Sequence, residues 1–282
     1  MNQTHTALAR ALGDFDRHGF TVLSGAITST ERRDALRAAQ HLLASNLTSG
    51  RDRGADGKDG FRGVVALDDA FLRLIANPAV LEPVTALLGT NLHLLSSHLI
   101  ALPAIPPGAA RSIRTAQRPG WHRDMYGVAA DLGPSNVPRL AIKAAFYLTD
   151  PGPQAGITMF LPGSHQRLDS VTVPAGSIDP PGAVAPDLGP QDAVLFENRT
   201  WHAGGLNTGK GPRIALMLQY GYRWLAPVDD PAPALLARDD LSAIERQLLG
   251  ARDRHQDGSL AKGAGGKALL QWHQDRNLLP AR

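Results

Sequence analysis

Between residues 91 and 224 the chain is cut into five short apolar segments: NLHLLSSHLIAL (91–102), RLAIKAAFYLTD (139–150), GITMFL (156–161), DAVLFE (192–197) and RIALMLQYGYRW (213–224). Turn-forming stretches separate them, among them PAIPPG, DLGPSNVP, DPGPQAG, PPGAVAPDLGP and GLNTGKGP. Short strands with Gly/Pro punctuation fold as a sandwich or barrel, because no single segment can bury its own apolar face. The flanks read differently. Leu8, Leu12 and Phe15 follow helical spacing, FTVLSG (20–25) reads as a strand, and Thr28-Ser29-Thr30-Glu31 forms a capping box for a helix continued by Leu36, Ala39, Leu42 and Leu43. Two short helices are expected at 68–76 and 78–89. Residues 49–63, polar and glycine-rich, read as a mobile loop. Beyond 226, Leu235, Leu236, Leu241, Ile244 and Leu248 restore a helical pattern, and 250–266 is expected to be loosely ordered. One domain over 1–282 follows: N-terminal support (1–90), β core (91–225) and helical extension (226–282).

The chain has no cysteine, so any metal must be held by His and carboxylate. Trp121-His122-Arg123-Asp124 sits where a strand is expected to end, and residues i and i+2 of a strand share a face. One imidazole and one carboxylate can therefore meet at a point, and His202, far downstream, supplies a third ligand. Two His and one carboxylate on one face of a metal leave the opposite face open, which suits iron(II) oxygenases that bind a co-substrate and dioxygen together. Arg213 lies eleven residues after His202, across AGGLNTGKGP. If that turn closes a hairpin, its guanidinium returns to the metal, shaped to take a carboxylate bidentately. The co-substrate so implied is 2-oxoglutarate, chelating iron through its 1-carboxylate and 2-keto oxygen with its 5-carboxylate on Arg213.

A bare His-x-Asp is common, and 255/257 and 273/275 repeat it. Only 122/124 is followed by a distal His with Arg at the right offset. His165 fails because position 176 is Gly. His5, His18, His41, His93, His255 and His273 read as surface or core histidines.

The opening FDRHGFTVLSGAITSTERRDAL, the WHRD segment, the strand FYLTD, GITMFLPGSH (156–165) and WHAGGLNTGKGPR (201–213) together resemble the phytanoyl-CoA dioxygenase family, over roughly residues 12–250. The resemblance implies a mostly β fold with flanking helices around a double-stranded β-helix (jelly-roll, cupin-like) core. It implies iron ligands at His122, Asp124 and His202 and a 2-oxoglutarate salt bridge at Arg213. Lys143 stands where the family has a polar residue near the co-substrate; the other reading is a solvated strand-edge lysine. The PGSH turn is structural in the family, which leaves His165 out of the ligand set. Two departures fall near the co-substrate: Gly204 where Ser or Thr is common, and Leu102 where many members have Lys.

The expected activity is that of an iron(II)- and 2-oxoglutarate-dependent dioxygenase, using O2 and hydroxylating a C–H bond of a small bacterial metabolite, in secondary metabolism. Related halogenases lack a carboxylate at the position of Asp124, so its presence favours hydroxylation; epimerisation, desaturation or ring closure share the same hydrogen abstraction. Met125, Tyr126, Trp201 and Trp224 flank the metal segments and suit either packing or substrate contact. A zinc hydrolase also uses two His and a carboxylate, but gives Arg213 no purpose, and a non-catalytic metabolite binder would not need the triad. The net charge is +3 with no basic block, which argues against nucleic acid. No run reaches the ~20 apolar residues of a membrane span, and the first twenty residues lack an apolar signal core. A cytoplasmic location is expected; the oligomeric state is open.

Overall fold

The computed structural model describes residues 3–54, 57–106, 120–167, 169–229, 233–252, 257, 259 and 266–278. Helix α1 (Gln3–His18) leads into β1 (Phe20–Leu23) and then α2 (Ser29–Ala44). The capping box forms as the sequence predicts: Thr28 Oγ1 accepts from Glu31 N–H, and the Glu31 carboxylate accepts from Thr28 N–H at 2.8 Å. Residues 49–54 and 57–63 are not simply a loop. They hold the hairpin β2 (Arg51–Arg53) and β3 (Asp59–Arg62), tied by Arg51 to Asp59 at 2.6 Å. Strands of three and four residues with Phe61 as their one apolar side chain carry no apolar period, so the composition concealed them. Helices α3 (Asp69–Leu72) and α4 (Pro78–Leu88) follow where expected.

The remaining strands are β4 (Leu92–Leu102), β5 (Ala141–Tyr147), β6 (Thr158–Phe160), β7 (Ala193–Glu197), β8 (His202–Gly204) and β9 (Arg213–Tyr222). A seven-stranded antiparallel sheet has the order β1-β7-β5-β9-β4-β3-β2, and β6 and β8 pair in a second, smaller sheet. Single bridges widen the small sheet on both sides, His122 to His202 and Phe160 to Val184. This is the jelly-roll arrangement of two facing sheets.

Both faces of the large sheet are covered, which is why its strands read as nearly continuous apolar runs. Ile142, Ala144 and Phe146 of β5 and Ile214, Leu216, Leu218 and Tyr220 of β9 face outward into one hydrophobic cluster. That cluster joins Leu8, Leu12 and Phe15 of α1 to Leu248 and Leu269 of the C-terminal helices Ala243–Leu248 and Lys267–Asp275. The alternate residues Ala145, Tyr147, Ala215 and Met217 face inward and pack with Ile157, Phe160 and Phe196. In β4 a register shift between Leu94 and Ser96 reverses which parity faces in. After it, Ser96, His98, Ile100 and Leu102 line the space between the sheets. Among the described residues no single helix is long and apolar enough to cross a membrane. The bent pair 69–76 and 78–88 passes only by length and composition, and most of its side chains are buried.

Candidate metal and co-substrate site

His122 and Asp124 do not end a strand. His122 makes one bridge to the small sheet, Asp124 lies in a turn, and Met125 takes a left-handed conformation (φ 56°) before a helix, Tyr126–Leu132, that the turn-rich sequence concealed. The triad nevertheless assembles. His122 N–H donates to His202 O and His202 N–H to His122 O. Directly paired residues of antiparallel strands project on one face, and the two imidazole centroids lie 4.3 Å apart. Each Nδ1 lies against a carbonyl two residues earlier, Gly120 O at 2.6 Å for His122 and Thr200 O at 2.9 Å for His202. A carbonyl only accepts, so each Nδ1 carries the proton and each Nε2 presents a bare lone pair. Both Nε2 atoms stand 3.9 Å from Asp124 Oδ1. The three ligand atoms lie within 4.8 Å of one another and could hold a metal ion.

Burial works against charge on Asp124, but the Lys143 ammonium 2.6 Å from its Oδ2, with His202 and His122 close by, pushes the carboxyl down to about 2. It is a carboxylate at any working pH. Burial pulls His202 down to about 4 against the attraction of Asp124, so its imidazole is neutral and ready to ligate.

Gly19 supports His202 from behind. A Cβ there, at φ +83°, would lie 2.3 Å from Thr200 Oγ1. The bare glycine lets Thr200 O–H donate to Gly19 O at 2.8 Å, and Thr200 O is the acceptor that fixes His202.

Arg213 reaches the same cavity by a different route from the one its spacing suggests. The turn after His202 does not close a hairpin: β8 belongs to the small sheet, whereas β9 inserts between β5 and β4 of the large one. Arg213 pairs with Leu102, is 5% exposed, and sets its guanidinium 5.8 Å from the Tyr147 ring centroid. Among the described residues no carboxylate pairs with it, and its Nε has no hydrogen-bond partner. A buried, unpaired cation is unfavourable unless a ligand completes it. Triad and guanidinium line one cavity of about 1040 Å³, at the upper end of the roughly 300–1,000 Å³ usual for small-molecule sites.

The family model for phytanoyl-CoA dioxygenase matches residues 15–215, a span that contains all four of these side chains. The chain belongs to the phytanoyl-CoA dioxygenase family. It is 25% identical over 193 residues to an uncharacterised protein of Mycobacterium tuberculosis, covering 67% of this chain and 64% of that one. It is 35% identical over 99 residues to the dioxygenase cdmA of Talaromyces verruculosus, 34% of this chain and 32% of the relative. The chain thus spans just under two thirds of the mycobacterial relative's length and about a third of cdmA's. Among solved structures, the α-ketoglutarate-dependent epimerase SnoN from nogalamycin biosynthesis superposes with a TM-score of 0.63 at 22% identity, covering 90% of this chain and 98% of SnoN. EctD from S. alaskensis, with 2-oxoglutarate and 5-hydroxyectoine, gives 0.61 at 24%, covering 84% and 86%. HygX from Streptomyces hygroscopicus, with nickel, 2-oxoglutarate and hygromycin B bound, gives 0.58 at 19%, covering 80% and 93%. At these identities the likeness speaks for the fold.

Within this family member both sequence departures fall at the Arg213 end of the cavity. Gly204 and Leu102 line it, and Leu102 is the strand partner of Arg213. Thr158, which sequence reasoning passed over, also lines the cavity. Tyr147 O–H donates to Thr158 Oγ1 at 2.8 Å, leaving the Thr158 proton free to donate inward. Lys143 is not a strand-edge residue. β5 is interior to the sheet, and its ammonium faces the cavity bound to Asp124.

Of the suggested substrate contacts, Met125 and the highly exposed Tyr126 line the cavity. Trp201 and Trp224 do not: Trp201 packs under Arg123, and Trp224 stacks on Tyr222 in solvent. His165 lies apart from the triad, with Nε2 on Asp16 O at 3.1 Å. His273 sits on the last helix, and His255 lies outside the described residues. Ser96, His98 and Gln219 line the cavity and were not singled out by the sequence, although Ser96 and His98 show the period-two spacing of one strand face.

Proposed function

We propose that the chain is an iron(II)- and 2-oxoglutarate-dependent dioxygenase that hydroxylates a C–H bond of a small metabolite, consuming O2 and releasing succinate and carbon dioxide. One observation carries this reading. A bare two-histidine, one-carboxylate cluster and an unpaired buried guanidinium open into the same cavity, as a chelating diacid requires. His122 and His202 offer Nε2 and Asp124 offers Oδ1 to the metal, while Lys143 retains Asp124 Oδ2. Arg213 binds the distal carboxylate of 2-oxoglutarate, and Thr158 donates to it beside the guanidinium. When bound, iron(II) supplies the oxidative decarboxylation of 2-oxoglutarate and the hydrogen abstraction from substrate.

A zinc hydrolase fits less well. Among the described residues Asp124 is the only carboxylate that lines the cavity, so none of them remains to act as general base, and Arg213 would be left uncompensated. Secondary metabolism is supported by the SnoN and HygX structures, one from nogalamycin biosynthesis and the other with hygromycin B bound.

Anaerobic titration with iron(II) and 2-oxoglutarate tests the proposal. The weak visible charge-transfer band of the chelate should appear in the wild type and be absent from His122→Ala and His202→Ala. Failure of the wild type to bind 2-oxoglutarate in the presence of iron(II) would refute it.

A further inference from the structure

The cavity wall away from Arg213 carries hydrogen-bonding side chains that the fold leaves unused. Arg213 and Gln219 share the inward face of β9 but are six residues apart, roughly 20 Å at about 3.4 Å per residue. That is far longer than a five-carbon diacid. Gln219 pairs with Lys143 on one side and Ser96 on the other, and His98 is the next inward residue on β4. Ser96 and Gln219 are 7% and 8% exposed, and both line the cavity. Among the described residues neither the Ser96 hydroxyl nor the Gln219 amide has a hydrogen-bond partner. Their polar atoms are not sealed in but open to the cavity, so the pair is free to bind a ligand or water.

His98 is set differently. Its Nε2 lies 3.0 Å from Asp52 Oδ2, and Arg62 stands 3.3 Å from the same oxygen. The contact lacks hydrogen-bond geometry, but a carboxylate beside Nε2 favours the proton on that nitrogen and leaves the lone pair on Nδ1. Burial, reinforced by Arg62, pulls His98 down to about 4 despite Asp52, so the ring is neutral. Of the charges acting on His98, Arg62 faces Asp52, Lys143 faces Asp124, and Lys58, which also lines the cavity, engages a partner of its own. Both signs are answered within the protein, and what remains is a neutral donor–acceptor surface.

We propose that Ser96, His98 and Gln219 form the subsite that fixes the substrate, and that it takes an uncharged group able both to donate and to accept, a hydroxyl or carboxamide. Naming that ligand the substrate rests on the oxygenase reading; the subsite itself does not. Such a group donates to His98 Nδ1 and accepts from Gln219 or Ser96. The apolar wall from Ile100, Met125, Met217 and Val228 takes the rest of the molecule.

Benzamide, benzyl alcohol, benzoate and toluene share a ring and differ in the attached group. They can be titrated by ligand-observed NMR against the protein loaded with zinc(II) and 2-oxoglutarate, and against the apoprotein. The two neutral polar probes should bind tighter than benzoate and toluene. Gln219→Leu and Ser96→Ala should each weaken them about fivefold, the value of one net hydrogen bond, with melting temperature and 2-oxoglutarate affinity retained. Preference for benzoate, no preference over toluene, or unaltered binding in both variants overturns the proposal. Loss of 2-oxoglutarate affinity in the variants also overturns it, by assigning these residues to the co-substrate. If the wild type binds no 2-oxoglutarate, the oxygenase reading falls while the apoprotein titration still decides the subsite.

Discussion

His122 and His202 are joined through their backbones, by hydrogen bonds of 2.9 and 3.0 Å that run in both directions. The ligand pair is thus set by main chain, independently of the side chains it presents. His122→Ala and His202→Ala should therefore leave the bridge intact. Each variant should keep a cooperative melt close to that of the apoprotein and lose iron(II) binding, measured by calorimetry. A variant that unfolds would show that the imidazoles, and not the bridge, hold the two segments together.

Burial of His202 gives the apoprotein an acid sensitivity of defined sign. Its folded value, about 4, lies below the ordinary 6.5, so the unfolded chain takes up the proton first. Stability is full above pH 6.5 and is lost as pH falls toward 4, by on the order of 3 kcal/mol for this group. His98 shifts the same way, so His202→Gln should flatten the profile only in part. Denaturant melts of apoprotein between pH 4 and 7 provide the check.

Arg213 should trade stability for binding. Without co-substrate its guanidinium is buried and unpaired, so Arg213→Met should melt higher than the wild-type apoprotein. The same variant should require on the order of 100-fold more 2-oxoglutarate for half-maximal succinate release, as expected when one partner of a buried charge pair is lost. Thr158→Val should raise that requirement about fivefold, the worth of one hydrogen bond.

Lys143 bonds to the Asp124 oxygen that faces away from the histidines. Lys143→Met frees the carboxylate to rotate and removes the main influence holding its pKa down. Metal affinity should fall about tenfold, at the lower end for a lost outer partner of a ligand. The acid limit of metal binding should move to higher pH, and Lys143→Arg should restore much of both. Equal iron(II) affinity in Lys143→Met would show that Asp124 needs no such support.

Much of this was legible before the fold was known, where a physical signal was local. The capping box at Thr28, the long strands β4, β5 and β9, and the ordered set 122/124/202/213 all carry their information in residue type and spacing. What stayed hidden depends on tertiary placement. The β2–β3 hairpin has no apolar period, and the helix after Met125 begins at a left-handed residue no propensity announces. Arg213 lines the same cavity as the triad although its strand lies in the opposite sheet from His202, a connection that its spacing from His202 does not suggest. Ser96 and His98 were masked because both faces of β4 are buried, and the register shift before them breaks the alternation that would have marked the inner face.

That division between the sheets has a mechanical consequence. His202 rides on the small sheet and Arg213 on the large one, so a diacid chelated at the triad and held by Arg213, as proposed, would act as a strut spanning the two layers. Metal alone grips one side only. Adding both ligands should therefore slow amide exchange in β6 and β8 more than the separate effects combined, coupling the order of loading to the rigidity of the reaction chamber.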